Sequence, residues 1–212
     1  MATLQRTNQP VNHRQAIAGL FLYLAGSLIF MGIITGEIFY PPGYSTSAND
    51  ISDLGSTRPL DSIIYQPSAT IFNTTMTVAG AMILMASWWA RQFLSKRWFS
   101  ILLGLFGLGV FGVGIFPGNV APYHGLFSLL TFTSGGVVAI FSFKVTNLPF
   151  SYLGPVLGTI ALVFLFSSNF FIPLLGSGGT ERWVAYPILL WLIGIGGYWL
   201  GLNGKINMQD EK

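Results

Sequence analysis

Few side chains in this sequence can do chemistry, and they gather in its outer segments. His124 follows Pro122-Tyr123, and the only other histidine, His13, lies near the N-terminus. At the opening of a helix the macrodipole opposes a protonated imidazole, which leaves His124 neutral and free to act as a base or a ligand. Asp53 falls late in a short helical stretch, where the dipole opposes a carboxylate, so it needs Arg58, backbone amides or another partner. Asn73 carries an amide that can donate to one group and accept from another. These three are expected within direct or one-water contact in a shared pocket, with Glu37, Ser52, Arg58 and Arg182 lining it. In a catalytic version His124 is the general base, Asp53 its orienting carboxylate, and water the nucleophile. In a structural version the same contacts latch a loop onto the bundle. For Asp50 and Asp61 capping and solvation suffice.

Other chemistries have no residues to carry them. The chain has no cysteine, which removes thiol nucleophiles, iron–sulfur clusters, cysteine zinc sites and disulfides together. Two histidines on opposite sides of a membrane cannot form a bis-histidine haem site. Gly176-Ser177-Gly178-Gly179 lacks the Lys-Ser/Thr of a phosphate loop and reads as a turn before Glu181-Arg182. There is no GxSxG elbow, no HExxH pair and no basic patch for nucleic acid. Neither a cofactor nor a metal is expected.

The elements that position these residues follow from composition. Charged residues make up 8% of the 212, against about 25% in soluble domains. So few charges cannot cover a soluble protein of this size. A water-soluble enzyme, a nucleic-acid binder and a disordered chain are excluded, leaving a single integral membrane domain over 1–212. Apolar runs of the length a bilayer requires give six spans: Ala16–Phe39, Pro67–Ala90, Trp98–Phe116, Pro122–Phe143, Ser151–Leu175 and Trp183–Leu202. The polar stretches are a tail over 1–15, a loop over 40–66 and a tail over 203–212. The fold class is an all-α, six-transmembrane-helix bundle with short interfacial helices in the first extracytoplasmic loop.

Arg6, Arg14, Arg91, Lys96, Arg97, Lys144, Lys205 and Lys212 lie on one side of that topology, against Arg58 and Arg182 on the other. Basic residues mark cytoplasmic loops, so both termini are expected in the cytoplasm and 40–66 outside a cell membrane. Glu37 is the only acid inside these spans, and polarity concentrates at the outer end, which disfavours an ion-coupled pump.

Within the loop, Ser47-Ala48-Asn49-Asp50 fits a capping box and Gly55 a stop, so Ala48–Leu54 is expected to be a short helix. Thr57-Arg58-Pro59-Leu60-Asp61 reads as a second helix start with Pro59 in the first turn. Gly194, Gly197 and Gly201 form a stripe on the sixth span, Gly154 and Gly158 a pair on the fifth, and Gly104, Gly107 and Gly114 crowd the third. Close packing inside the bundle is the expected use, with a homodimer or membrane-protein partner as the alternative.

Several strings carry a resemblance. Tyr44-Ser45-Thr46, Asn49-Asp50-Ile51-Ser52-Asp53-Leu54-Gly55, Ile71-Phe72-Asn73, and Phe116-Pro117 ahead of His124 resemble the prokaryotic membrane family catalogued as domain of unknown function 998. That resemblance implies a six-helix membrane protein and no established activity. The chain is more loosely similar to the intramembrane hydrolases that include alkaline ceramidases, but it has one membrane histidine where those have several.

The expected function is a multi-pass protein whose outward-facing polar pocket binds a membrane lipid or other amphiphilic small molecule, with hydrolysis or group transfer open. A structural or regulatory subunit of a larger membrane complex is the alternative, and a small passive carrier the third.

Overall fold

The computed structural model describes residues 12–203. The tail residues 1–11 and 204–212, with Arg6, Lys205 and Lys212, lie outside the described residues. Six helices follow in order: α1 (His13–Ile38), α2 (Ser68–Phe93), α3 (Arg97–Ile115), α4 (Tyr123–Phe141), α5 (Phe150–Phe166) and α6 (Ser168–Asn203). Short 3-10 turns occupy Ile51–Leu54 and Ser142–Lys144. No strand occurs among the described residues. Five helices are long and apolar enough to cross a membrane, and α5 is a shorter apolar helix. Its 17 residues rise about 25 Å, less than the ~30 Å of hydrocarbon.

The helices close a ring. α1 packs on α2, α2 on α3, α3 on α4, and α6 touches both α4 and α1, while α5 lies against α4, α6 and the Ser142–Lys144 turn. The peripheral place of α5 shows in its burial: Gly154, Gly158 and Ala161 are its buried residues. The core runs through the ring, with Leu22, Ile83, Leu103, Val138, Trp191 and Trp199 fully buried. Large side chains such as Phe166 and Leu174 point outward, 70% and 67% exposed, an outer surface suited to a hydrocarbon solvent rather than water.

Glycine sets the spacing of the seams, because the packing of helices in lipid rewards close backbone approach. A Cβ on Gly80 of α2 would stand 2.3 Å from the Phe111 nitrogen of α3, and one on Gly158 of α5 would stand 2.5 Å from the Gly136 carbonyl of α4. The stripe on α6 works differently from its expected form. Gly196 is the glycine pressed on α1, 2.4 Å from the Tyr23 nitrogen as measured from an added Cβ, whereas Gly201 faces open space and Gly197 barely reaches Tyr23. The residues one step round the helix face α1 because the helix rotates about 100° per residue.

The fifth and sixth helices divide the chain elsewhere than expected. α5 stops at Phe166, and residues 168–175 already belong to α6, which breaks once at Gly176 (φ 78°, ψ 168°). That left-handed position suits glycine. The glycine run is thus no free turn but a helix break onto which the outer loop docks. A Cβ on Gly176 or Gly178 would stand 2.1 Å from the Ser47 carbonyl or 1.9 Å from that of Asn49. As a consequence Glu181 and Arg182 stand inside a helix, and Glu37 is not the only acid in the helical bundle.

The loop also folds one frame later than its capping signal suggested. Only Ile51–Leu54 is helical, as a 3-10 turn, and the reciprocal cap joins Asp50 and Asp53 rather than Ser47 and Asp50. No helix starts at Pro59. Instead Thr57 and Ile63 close the segment, through Thr57 N–H to the Ile63 carbonyl (3.1 Å) and Ile63 N–H to the Thr57 hydroxyl (2.7 Å).

Candidate functional site

The polar residues of the loop end sort into two layers, a cap and a cavity beneath it. The cap is held from below by Arg182 of α6, which is buried. Its Nη2 donates to Glu37 Oε1 on the last turn of α1 (2.7 Å) and to the Tyr44 hydroxyl (2.7 Å). Its Nη1 donates to the carbonyls of Thr46 (2.8 Å), Asn49 (3.0 Å) and Gly178 (3.0 Å). A planar guanidinium with forked donors can serve a carboxylate and several carbonyls together, as a lysine cannot. Burial pushes the Tyr44 phenol well above its ordinary range, so it stays protonated.

Asp50 is the second anchor. Its carboxylate accepts from the Ser177 hydroxyl on α6 and pairs with Arg58. Asp50 is 6% exposed, so solvation does not describe it, and it adds these partners to its place at the cap of the 3-10 turn. Arg58 therefore serves Asp50, and Asp53 finds backbone support instead: its Oδ2 accepts the Asp50 N–H (3.0 Å) and the Asn49 amide (3.4 Å). Desolvation raises the Asp53 carboxyl above the usual carboxylate range.

The shared pocket of Asp53, Asn73 and His124 does not form through direct bonds. Asn73 donates to the Gly55 carbonyl (3.4 Å), and its Oδ1 has no donor among the described residues. His124 bonds to the Phe116 carbonyl through Nδ1 (2.8 Å) and to the Ser128 hydroxyl through Nε2 (3.3 Å). Each of the three is thus held by its own neighbours. The reason is local: a 3-10 turn and two helix ends each present backbone groups that need partners, and the nearest side chain serves them.

Beneath the cap lies a cavity of about 50 Å3 inside the helix ring. Its wall is mostly apolar, from residues such as Ile33, Met76, Phe106, Val110 and Ile188, with Ser52, Ser128, Thr131 and Glu181 as its polar members. Helices α1, α2, α3, α4 and α6 all contribute, and the loop closes the top through Ile51 and Ser52. Glu181 Oε2 accepts the Ile51 N–H, so the acid both fastens the lid and faces the cavity. Of the expected lining residues Ser52 reaches this cavity, His124 touches it through Ser128, and Glu37, Asp53, Arg58, Asn73 and Arg182 belong to the cap.

Glu181, Ser128 and Ser177 were absent from the expected set. Ser128 had a readable signal, since a hydroxyl four residues after a helical histidine shares its face. Glu181 was hidden by the glycine run, which read as a turn ahead of it and left it outside the sixth span.

Among the described residues no three of His, Asp and Glu cluster closely enough to hold a metal ion. Neither the curated proteins nor the solved structures compared with the chain gave a match. Residues 24–198, which hold the ring, the loop cap and the cavity, match one family model throughout, and the chain belongs to the family described as protein of unknown function (DUF998).

Proposed function

We propose that this member of the family spans the cell membrane six times, with both termini cytoplasmic, and binds an amphiphile in the cavity beneath its outer cap. The observation that carries the reading is the cavity wall. Binding sites for small molecules are typically apolar with a few polar groups, and here a mostly apolar lining includes Ser52, Ser128, Thr131 and Glu181. Glu181 accepts hydrogen bonds, so the head group it suits is a hydroxyl or an amine rather than a phosphate. About 50 Å3 holds a few water-sized groups, enough for a head group and the start of a chain, with the rest passing between helices. The α5 helix, packed on α4 and α6, is the fifth of the six spans and lies at the edge of the bundle.

The test is photo-crosslinking in nanodiscs with a long-chain alcohol that bears a diazirine near its hydroxyl. Adducts on cavity residues such as Met76 and Ile188, lost in the cavity-filling variant Ala185→Phe, are expected. Adducts confined to outward residues such as Phe166 and Leu174 would overturn the reading.

A second reading, docking to a membrane-protein partner or a second copy, is favoured by Gly197 and Gly201, since no protein packs tightly over them.

A further inference from the structure

His124 and Ser128 have a geometry that amphiphile binding does not require. The Phe116 carbonyl can only accept, so His124 Nδ1 must carry the proton that it receives. In the neutral imidazole this fixes Nε2 as the unprotonated nitrogen, and the Ser128 hydroxyl, 3.3 Å away, must then donate to it. A hydroxyl that donates to an imidazole whose other nitrogen is oriented by a fixed acceptor is the arrangement of an activated serine.

The orientation is built in from several sides. Phe116 is held by its N–H to the Gly112 carbonyl (2.8 Å) and by stacking of its ring on Phe127 at 5.2 Å and 1°. Phe127 in turn fits against α3 only because position 112 has no side chain, an added Cβ there standing 2.1 Å from the Phe127 ring. His124 itself is buried, while Ser128 lines the cavity, as do Thr131 and Glu181. The dyad is therefore shielded on the imidazole side and open on the hydroxyl side.

We propose that Ser128 and His124 form a nucleophile–base pair that cleaves an acyl ester of an amphiphile held in the cavity, with Phe116 as a positioning residue. The proposal rests on the cavity being the binding site. Ser128 Oγ forms the bond to the acyl carbon while its proton passes to His124 Nε2. The carbonyl electrons move to oxygen and return as the bond to the alcohol oxygen breaks, and the departing alkoxide takes the proton from Nε2. Water, deprotonated by Nε2, then forms a bond to the acyl carbon, and as the bond to Ser128 Oγ breaks, Nε2 returns the proton to Oγ. The products are a carboxylic acid and an alcohol, with no oxidant or metal consumed.

A long-chain alkyl fluorophosphonate tests the pair directly, because it bonds phosphorus to an activated serine oxygen and expels fluoride, the hydroxyl proton leaving through the base. The full chain in nanodiscs is expected to gain one phosphonyl adduct, mapped by mass spectrometry to Ser128. Ser128→Ala, which removes one oxygen and leaves the helix intact, should take no label while remaining folded, as its thermal melt would show. His124→Gln should label at least ~100-fold more slowly, and Ser128→Thr should retain partial labelling. Absence of a Ser128 adduct on folded protein overturns the pair, as does equal labelling of Ser128→Ala. If the diazirine alcohol still crosslinks the cavity in that case, only the chemistry fails; if it does not, the binding reading has failed as well.

Discussion

Arg182 Nη2 donates to Glu37 Oε1 at 2.7 Å, joining the sixth helix to the last turn of the first across the top of the ring. The same guanidinium holds the loop carbonyls of Thr46 and Asn49 and the Tyr44 hydroxyl, together with the Gly178 carbonyl of its own helix, so one side chain fastens the cap to the bundle. Ser177–Asp50 and Glu181–Ile51 repeat the connection from the same helix. The cap is thus an extension of α6 as much as a loop between α1 and α2.

Arg182→Met should be the most damaging polar substitution in the chain. It strands the Glu37 carboxylate and several carbonyls, and loss of one partner of a buried pair costs about 3–5 kcal/mol. Glu37→Gln keeps an acceptor and should cost less than half as much. Arg182→Lys should not restore stability, since an ammonium cannot span the same acceptors. Unfolding in mixed micelles measures all three.

Gly196→Ala should destabilise the bundle by about 1–3 kcal/mol through overpacking, because its new methyl group meets the Tyr23 backbone. Gly201→Ala meets nothing within 4 Å and should be neutral or slightly stabilising, as alanine is the better helix former. Thermal melts should show a loss for Gly196→Ala and none for Gly201→Ala. Equal effects would mean that α6 presents a different face to α1.

Asp53 supplies a pH dependence of known sign. Its raised carboxyl means that the folded state binds the proton more tightly than the unfolded chain. The associated stability is fully present in acid below the ordinary carboxylate value, and it is lost as pH rises through the raised folded value. Both of its bonds fall on Oδ2, so the amide oxygen of Asp53→Asn can accept them without a buried charge. That variant should match the parent in acid and exceed it at neutral pH. A parent advantage that grows with pH would contradict this.

Leu60 is 99% exposed at the tip of the loop, and the chain has no cysteine of its own. On the proposed topology, Leu60→Cys should react with a membrane-impermeant maleimide on intact cells. Ser95→Cys, in the exposed link between α2 and α3, should react only after permeabilisation. The reverse pattern would invert the topology.

Ser68 is fully buried at the start of α2 and donates to the Leu54 carbonyl at 3.1 Å. Ser68→Ala leaves that carbonyl without its side-chain donor and should cost about 1–3 kcal/mol. The loss should loosen the cap locally, read as faster amide exchange at residues 51–55 with little change at α3.

Much of the fold was readable because the bilayer imposes a coarse, one-dimensional rule. An unbroken apolar run must be helical where no water can satisfy its backbone, so α1 to α4 start and stop within a few residues of their apolar limits. The family was readable too, in the Ile51-Ser52-Asp53-Leu54-Gly55 string and Phe116-Pro117 ahead of His124. The boundary between α5 and α6 was not, because Pro173 and Gly176 are stop signals in a sequence, whereas here Pro173 stays inside α6 and the one break, at Gly176, is covered by the loop. The site was the least legible part. His124 and Asp53 were recognisable as residues that needed partners, yet each took the closest available backbone or side-chain group, and the cavity fell to Ser128 and Glu181 instead. Sequence determines which groups cannot remain unpaired in an apolar medium; which of several acceptors satisfies each one depends on distances of a few ångströms, and only the packing of the helix ring fixes those.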